Sequence, residues 1–250
     1  MKPEATAAPE IADRDAFEAE LAALRLREKA HTREGDAIAA ARRRLPMVEV
    51  DASLPLTGEN GRVTLLDTFE GRRQLIAYYF MWYDGRPAID QCEGCTLYTS
   101  QIGELSYIHA RDTTYATFCQ GPYEESARYG DFMGFRMPWY SAQESLRELL
   151  VGRQINHFYL VCYLRDGDRV FETYWTTGRG VEAMDYSWAL LDRTIYGRQE
   201  TWEDSPDGWP QRWRQGTDEP NWYRVDGRPI SHWPRLAAGR SDDLGAGGHS

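Results

Sequence analysis

The sequence predicts an α/β fold with a central mixed sheet flanked by helices, on three observations. Residues 74–82 (QLIAYYFMW) form a continuous apolar run, as expected of a strand buried on both faces. A second strand-like run, Thr113–Cys119, follows across a helical pattern, so the two should lie parallel with a right-handed crossover. Residues 157–164 and 169–175 flank Asp166-Gly167, a strong hairpin signal that adds antiparallel strands.

The elements follow in order. Residues 1–12, rich in Ala, Pro and Glu, are expected to be disordered, and residues 13–46 form an N-terminal helical unit. Asp13 is its cap, Phe17, Leu21 and Leu24 share one side, and Leu45-Pro46 ends it. With a narrow apolar stripe and a heavily charged polar face, this helix should lie across a domain or a partner subunit. Gly35 weakens its middle, and Arg42-Arg43-Arg44 is a basic helix end favoured by the helix dipole. Residues 47–50 read as a short strand and 63–69 as a strand followed by a helical turn. Tyr98, Ile102, Leu105 and Ile108 recur at helical spacing. Pro122 opens a helix reaching about Met133. Val181, Met184, Trp188 and Leu191 form a final amphipathic helix. Residues 47–196 thus read βαβ and then ββα, the thioredoxin-like order. The hairpin falls on one side of the 74–82 strand and Thr113–Cys119 on the other.

From Gly197 the character changes. Trp202, Trp209, Trp213, Trp222 and Trp233 stand among Pro, Gly, Asp and Arg without periodicity. Residues 197–240 therefore read as an irregular Trp-rich arm over a surface of this subunit or a partner, with a carbohydrate or aromatic-ligand platform as the alternative. Residues 241–250 are expected to form a disordered tail.

Charge and composition narrow the chemistry. A net charge of −10 and a pI near 5.1 argue against nucleic-acid or anionic-membrane partners. Lys2 and Lys29 are the only lysines, which removes phosphate loops ending in Lys-Ser/Thr and most Schiff-base chemistry. No two histidines stand at i,i+4, and there is no Gly-x-Ser-x-Gly. Asp166-Gly167-Asp168 is better explained as a hairpin turn than as a calcium loop, and adjacent Glu124-Glu125 point apart on a helix. Neither a signal core nor a membrane-length apolar run is present, so a cytoplasmic location is expected.

Sulfur remains. Cys92-Glu93-Gly94-Cys95 follows the buried strand and a long loop and precedes a helix. In that position the first thiol faces the oriented N–H groups of a helix start, which stabilise a thiolate. The second, one turn inside, is placed to resolve a mixed disulfide. The topology also brings Cys119 and His157 to the same rim of the sheet. There Cys119 would serve as a second resolving thiol and His157 would hold a thiolate. Alternatively Cys92, Cys95, Cys119 and His157 would form a tetrahedral zinc set, or Cys119 and His157 would be plain structural residues. Cys162, mid-strand, reads as core.

Several segments carry a family resemblance. They are the helix ending Arg43-Arg44-Leu45-Pro46, the strand 75–81, Cys92-Glu93-Gly94-Cys95-Thr96 and His109-Ala110-Arg111-Asp112-Thr113-Thr114. Met137-Pro138-Trp139-Tyr140-Ser141 and Tyr174-Trp175-Thr176-Thr177 complete the set. Together they resemble the bacterial thioredoxin-like family catalogued as domain of unknown function 899, over about residues 15–215. The resemblance implies a thioredoxin-like fold distantly similar to peroxiredoxins, and no function. Compared with thioredoxins, the position of the cis-proline reads Gln154-Ile155-Asn156-His157. The proline and threonine that precede a peroxiredoxin's reacting cysteine have no counterpart. Those positions hold Gly85 and Ile89 before Cys92, and Ala88 and Cys92 before Cys95. Arg153 stands about where a peroxiredoxin places its thiolate-stabilising arginine.

The expectation is a thiol–disulfide oxidoreductase with Cys92 attacking and Cys95 resolving, and Cys119, Arg153 and His157 as environment. It needs no cofactor and requires a reducing or disulfide-bearing partner; a homodimer is compatible with it. The rivals are a peroxiredoxin-like peroxidase and a non-catalytic thioredoxin-fold binding protein.

Overall fold

The computed structural model describes residues 8–211. The expected tail, most of the Trp-rich arm (with Trp213, Trp222 and Trp233) and residues 1–7 lie outside the described residues.

In chain order the elements are α1 (Arg14–Arg42), β1 (Val48–Val50), β2 (Pro55–Gly58), β3 (Gly61–Thr64), β4 (Gln74–Phe80), α2 (Glu93–Ser100), α3 (Ser106–His109) and β5 (Thr113–Cys119). They continue with α4 (Tyr123–Met133), β6 (Trp139–Ser141), α5 (Leu146–Leu149), β7 (Tyr159–Asp166), β8 (Arg169–Thr176) and α6 (Tyr186–Leu191). Short 3-10 segments include Asp67–Phe69, Ala88–Asp90 and Gly178–Met184.

The eight strands form one sheet in the order β1-β8-β7-β4-β5-β6-β2-β3. At its centre β4 and β5 are parallel, and β7 lies antiparallel on the other side of β4. The β4-α2-β5 unit followed by the β7–β8 hairpin, in the order β8-β7-β4-β5, is the thioredoxin-like arrangement. Period-2 alternation along β4 divides the core. Leu75, Ala77 and Tyr79 face one layer with Leu146 and Leu149 of α5 and with Leu56, Leu65 and Phe69. Tyr78, Phe80 and then Trp82 face the other, with Cys95 and Tyr98 of α2, Tyr129 and Met133 of α4, and Val181 and Met184.

Two helical patterns resolve into pieces. The stripe Tyr98, Ile102, Leu105 and Ile108 is shared between α2, a loop and α3, because α2 ends at Ser100 just ahead of Gly103. Ile102, Leu105 and Ile108 still pack on the core without a continuous helix. Likewise Val181 and Met184 are buried from the 3-10 segment, Trp188 packs from α6, and Leu191 is exposed. Strands β2 and β6 were not anticipated. Each has at most four residues, too few for alternation to register, and pairing across the sheet defines them.

α1 is one helix of 29 residues, capped by Asp13, whose Oδ1 accepts the Ala16 N–H at 2.8 Å. It runs through Gly35 and ends at Arg42, short of Pro46. None of its residues is buried. At the other end, residues 197–211 are irregular and lie on their own subunit. Buried Arg198 pairs with Asp192 and Glu182 and sits over the Trp188 ring at 4.8 Å. The Glu203 carboxylate accepts the N–H groups of Arg198 and Glu200. Among the described residues no helix is long and apolar enough to cross a membrane.

Candidate functional site

The buried strand β4 delivers the chain to one rim of the sheet, and a loop over 81–91 carries it to α2. That loop is clamped by a buried side chain, Gln91. Its Oε1 accepts the Tyr83 N–H at 3.0 Å, and its Nε2 donates to the carbonyls of Tyr83 at 2.9 Å and Arg86 at 3.0 Å. Cys92 follows as the N-cap of α2. Its sulfur accepts the Cys95 N–H at 3.3 Å and lies 3.9 Å from the Met81 sulfur. One turn on, the Thr96 hydroxyl donates to the Cys92 carbonyl at 2.9 Å. Its oxygen therefore takes the Tyr129 hydroxyl proton at 2.5 Å, which ties α2 to α4.

The two thiols are made unequal by their surroundings. Cys92 is half-buried and Cys95 fully buried. The Cys95 thiol, hydrogen-bonded to Cys92, lowers the Cys92 pKa; burial opposes this, the Cys95 and Gly94 N–H groups assist it, and the Glu93 carboxylate opposes it. Cys95 is pushed up, first by burial and then by its hydrogen bond to Cys92 and the charge there. The fully buried Tyr78 hydroxyl donates to the Cys95 sulfur, which pulls the Cys95 pKa partly back down. A proton is therefore easier to remove from half-buried Cys92 than from buried Cys95.

The remaining sequence-derived candidates fall in different places. Cys119 ends β5 in the same core layer as Cys95; its sulfur accepts the Gly121 N–H at 3.5 Å, and burial pushes its thiol up to about 12. His157 lies just ahead of β7, with its ring against Phe158 at 4.8 Å and Tyr159 at 5.4 Å. Among the described residues no three His, Cys, Asp or Glu side chains are grouped to hold a metal ion. The zinc set of Cys92, Cys95, Cys119 and His157 is thus corrected: His157 turns to its own aromatic neighbours, and Cys119 is sealed in the core. Arg153 is also corrected as a thiolate stabiliser. It is bound to Glu172 at 2.6 Å and 3.2 Å, donates to the Leu149 carbonyl and stacks over Trp175. Its charge acts on Tyr79 and Tyr163, whose rings belong to the core layer opposite the cysteines. Cys162 is half-buried rather than core, in a groove beside Arg42.

The segment at the position of a thioredoxin's cis-proline is held differently. No cis peptide bond occurs among the described residues, and Asn156 has φ +61°. The side chain of Gln120 clasps this segment, accepting the Asn156 N–H at 2.8 Å and donating to the His157 carbonyl at 2.8 Å. Neither Gln91 nor Gln120 was found from the sequence, where Gln91 is one more polar residue of a loop and Gln120 a single polar residue just past an apolar strand. Two open clefts flank the loop and share Arg86. One of about 730 Å³ reaches Glu125 and Arg128, and one of about 440 Å³ reaches Gln120 and Asn156.

Residues 6–226 match the family described as bacterial protein of unknown function (DUF899). The chain belongs to that family. No curated protein matches the sequence. Among solved structures, a cysteine-to-serine mutant of Xanthomonas campestris peroxiredoxin Q is similar over 59% of this chain and 97% of that one, at 16% identity and a TM-score of 0.40. The X. campestris bacterioferritin comigratory protein is similar over 56% and 93%, at 15% identity and 0.38. A thioredoxin from Wuchereria bancrofti is similar over 56% and 91%, at 15% identity and 0.36. The fold assignment for this DUF899 member rests on its own strand order and connectivity.

Proposed function

We propose that the protein is a thioredoxin-fold thiol–disulfide oxidoreductase acting through Cys92 and Cys95. The observation that carries this reading is the split within the pair: a half-buried Cys92 with a lowered pKa at the start of α2, and a buried Cys95 with a raised one. The Cys92 thiolate attacks one sulfur of a partner's disulfide, forming a mixed disulfide and releasing the partner's other sulfur as a thiolate. Cys95 gives up its proton, ultimately to the released thiolate, and attacks the Cys92 sulfur. The partner leaves as a dithiol, reduced by two electrons, and a Cys92–Cys95 disulfide remains for a second dithiol to reduce. Cys119, with its thiol held protonated by burial, takes no part. A peroxidase is not favoured, because Arg153 is committed to Glu172. The trans segment at Asn156 is the feature that fits a non-catalytic binding protein.

The test is rapid alkylation against pH on the native chain, Cys92→Ser and Cys95→Ser. The most reactive thiol should titrate below the ordinary value of about 8.5, and Cys92→Ser should abolish that phase. Cys95→Ser should keep a fast phase, shifted upward by loss of the thiol hydrogen bond, and should trap a mixed disulfide with an oxidised dithiol probe. A Cys92 that titrates at or above about 8.5 overturns the proposal.

A further inference from the structure

We propose that α1 is a dimerisation element that pairs antiparallel with α1 of a second copy of this chain. At 1.5 Å per residue the helix is about 43 Å long, yet none of its residues is buried. Phe17, Leu24 and Ile38 are left 48%, 47% and 42% exposed. A helix so bare of tertiary packing lacks the usual source of helical stability.

Its sequence carries a seam with a defined register. Positions 17, 21, 24, 28, 31, 35, 38 and 42 alternate in steps of four and three, the heptad spacing of one helix face. They hold Phe, Leu, Leu, Glu, His, Gly, Ile and Arg, apolar toward the ends and polar within, a poor seam for a parallel pair. Run antiparallel, the residues complement one another layer by layer. Leu21 meets Ile38 of the second copy, and Glu28 meets its His31. Leu24 enters the space over its Gly35, where nothing lies within 4 Å of where a Cβ would stand. Phe17 falls at the Arg42 end of the second helix, where it packs on the arginine's aliphatic stem, because the Arg42 guanidinium lies over its own subunit's Tyr174 ring at 5.1 Å. Beside the seam the same register sets Arg27 against Glu34 of the second copy. Two-fold symmetry repeats every contact.

Charge points the same way. The start of the helix carries Asp15, Glu18 and Glu20 beside Arg14, and its end is basic at Arg42, followed by Arg43 and Arg44; between them Arg25, Arg27, Lys29 and Arg33 are interspersed with Glu28, Glu34 and Asp36. Antiparallel pairing lays the acidic start along the basic end of the second copy, whereas parallel pairing would set like against like at both ends.

Sedimentation equilibrium of the full chain over a wide concentration range reads the assembly directly. The native chain should be dimeric, and Leu24→Lys should make it monomeric with the sheet domain's near-ultraviolet circular dichroism unchanged. Arg27→Glu and Glu34→Arg should each raise the dimer dissociation constant roughly tenfold, and the double variant should restore it. A native monomer at every concentration overturns the proposal, as does a dimer indifferent to Leu24→Lys. Failure of the double variant to recover overturns the antiparallel register. Cys92 alkylation does not depend on any of these outcomes.

Discussion

Gln91 uses one carboxamide to hold both backbone groups of Tyr83 and the carbonyl of Arg86, so the loop arrives at Cys92 in one conformation. Replacing it with Leu leaves those groups without partners inside a crowded loop, each at a cost of about 1–3 kcal/mol. Gln91→Leu should therefore lower stability measurably in urea. It should also move the pH midpoint of Cys92 alkylation upward, because the sulfur no longer sits squarely on the Cys95 and Gly94 N–H groups. An unchanged alkylation profile would show that α2 holds Cys92 without the loop. At this scale the cysteine pair was legible, since a Cys-x-x-Cys between a buried strand and a helix has few other positions to occupy. Gln91 and Gln120 were not, because a lone glutamine carries no period, and what it bonds depends on how a loop returns in space. Arg153 was misjudged for a similar reason. Its distance along the chain from β7 did not reveal that Glu172 of β8 would claim it on the far side of the sheet.

The elements show where periodicity informs and where it misleads. β4, β5 and the β7–β8 hairpin were readable because buried strands and an Asp-Gly turn leave local signatures; Gly167 takes φ +61° at the turn. Apolar spacing around 98–108 and 181–188 reported which residues reach the core, but it also pointed to Leu191, which is exposed, and it did not show that the helices break. How elements join is decided by close approach. Gly121, between β5 and α4, packs so tightly on Trp82 that a Cβ there would stand 1.9 Å from the indole Cδ1. Gly121→Ala should force Trp82 or the β5–α4 connection to shift. It should cost about 1–3 kcal/mol as a lower urea midpoint at unchanged slope. Full stability in that variant would mean the indole relocates freely.

For the molecule as a whole, the aromatic core sets a pH limit. Burial holds the phenols of Tyr78, Tyr79 and Tyr129 well above their usual range, and the thiols of Cys95 and Cys119 are raised as well. Above pH about 9–10 the unfolded chain releases these protons while the folded chain retains them, so the folded state binds more protons and stability falls as pH rises. Each such group withdraws about 1.4 kcal/mol per pH unit between its unfolded and folded pKa. Cys92, with its lowered pKa, acts in the opposite sense: its contribution is complete above the unfolded thiol value and shrinks below it. Urea midpoints should thus fall steeply through pH 10, and a flat profile there would mean the phenols ionise without unfolding.

By itself the sequence determined the central strands, their sheet order, the cap of α1, and the position of the cysteine pair. These depend on local chemistry: apolar runs, an Asp-Gly turn, an Asp cap and the spacing of two thiols. Only the tertiary structure decided which side chains meet across the sheet. It turned Arg153 to Glu172 and His157 to Phe158 and Tyr159, brought the Tyr78 hydroxyl to Cys95 and made Gln91 the clamp of the loop that leads to Cys92. Those outcomes depend on which face a residue occupies and what another segment has already bonded, and neither is encoded in any short stretch of chain.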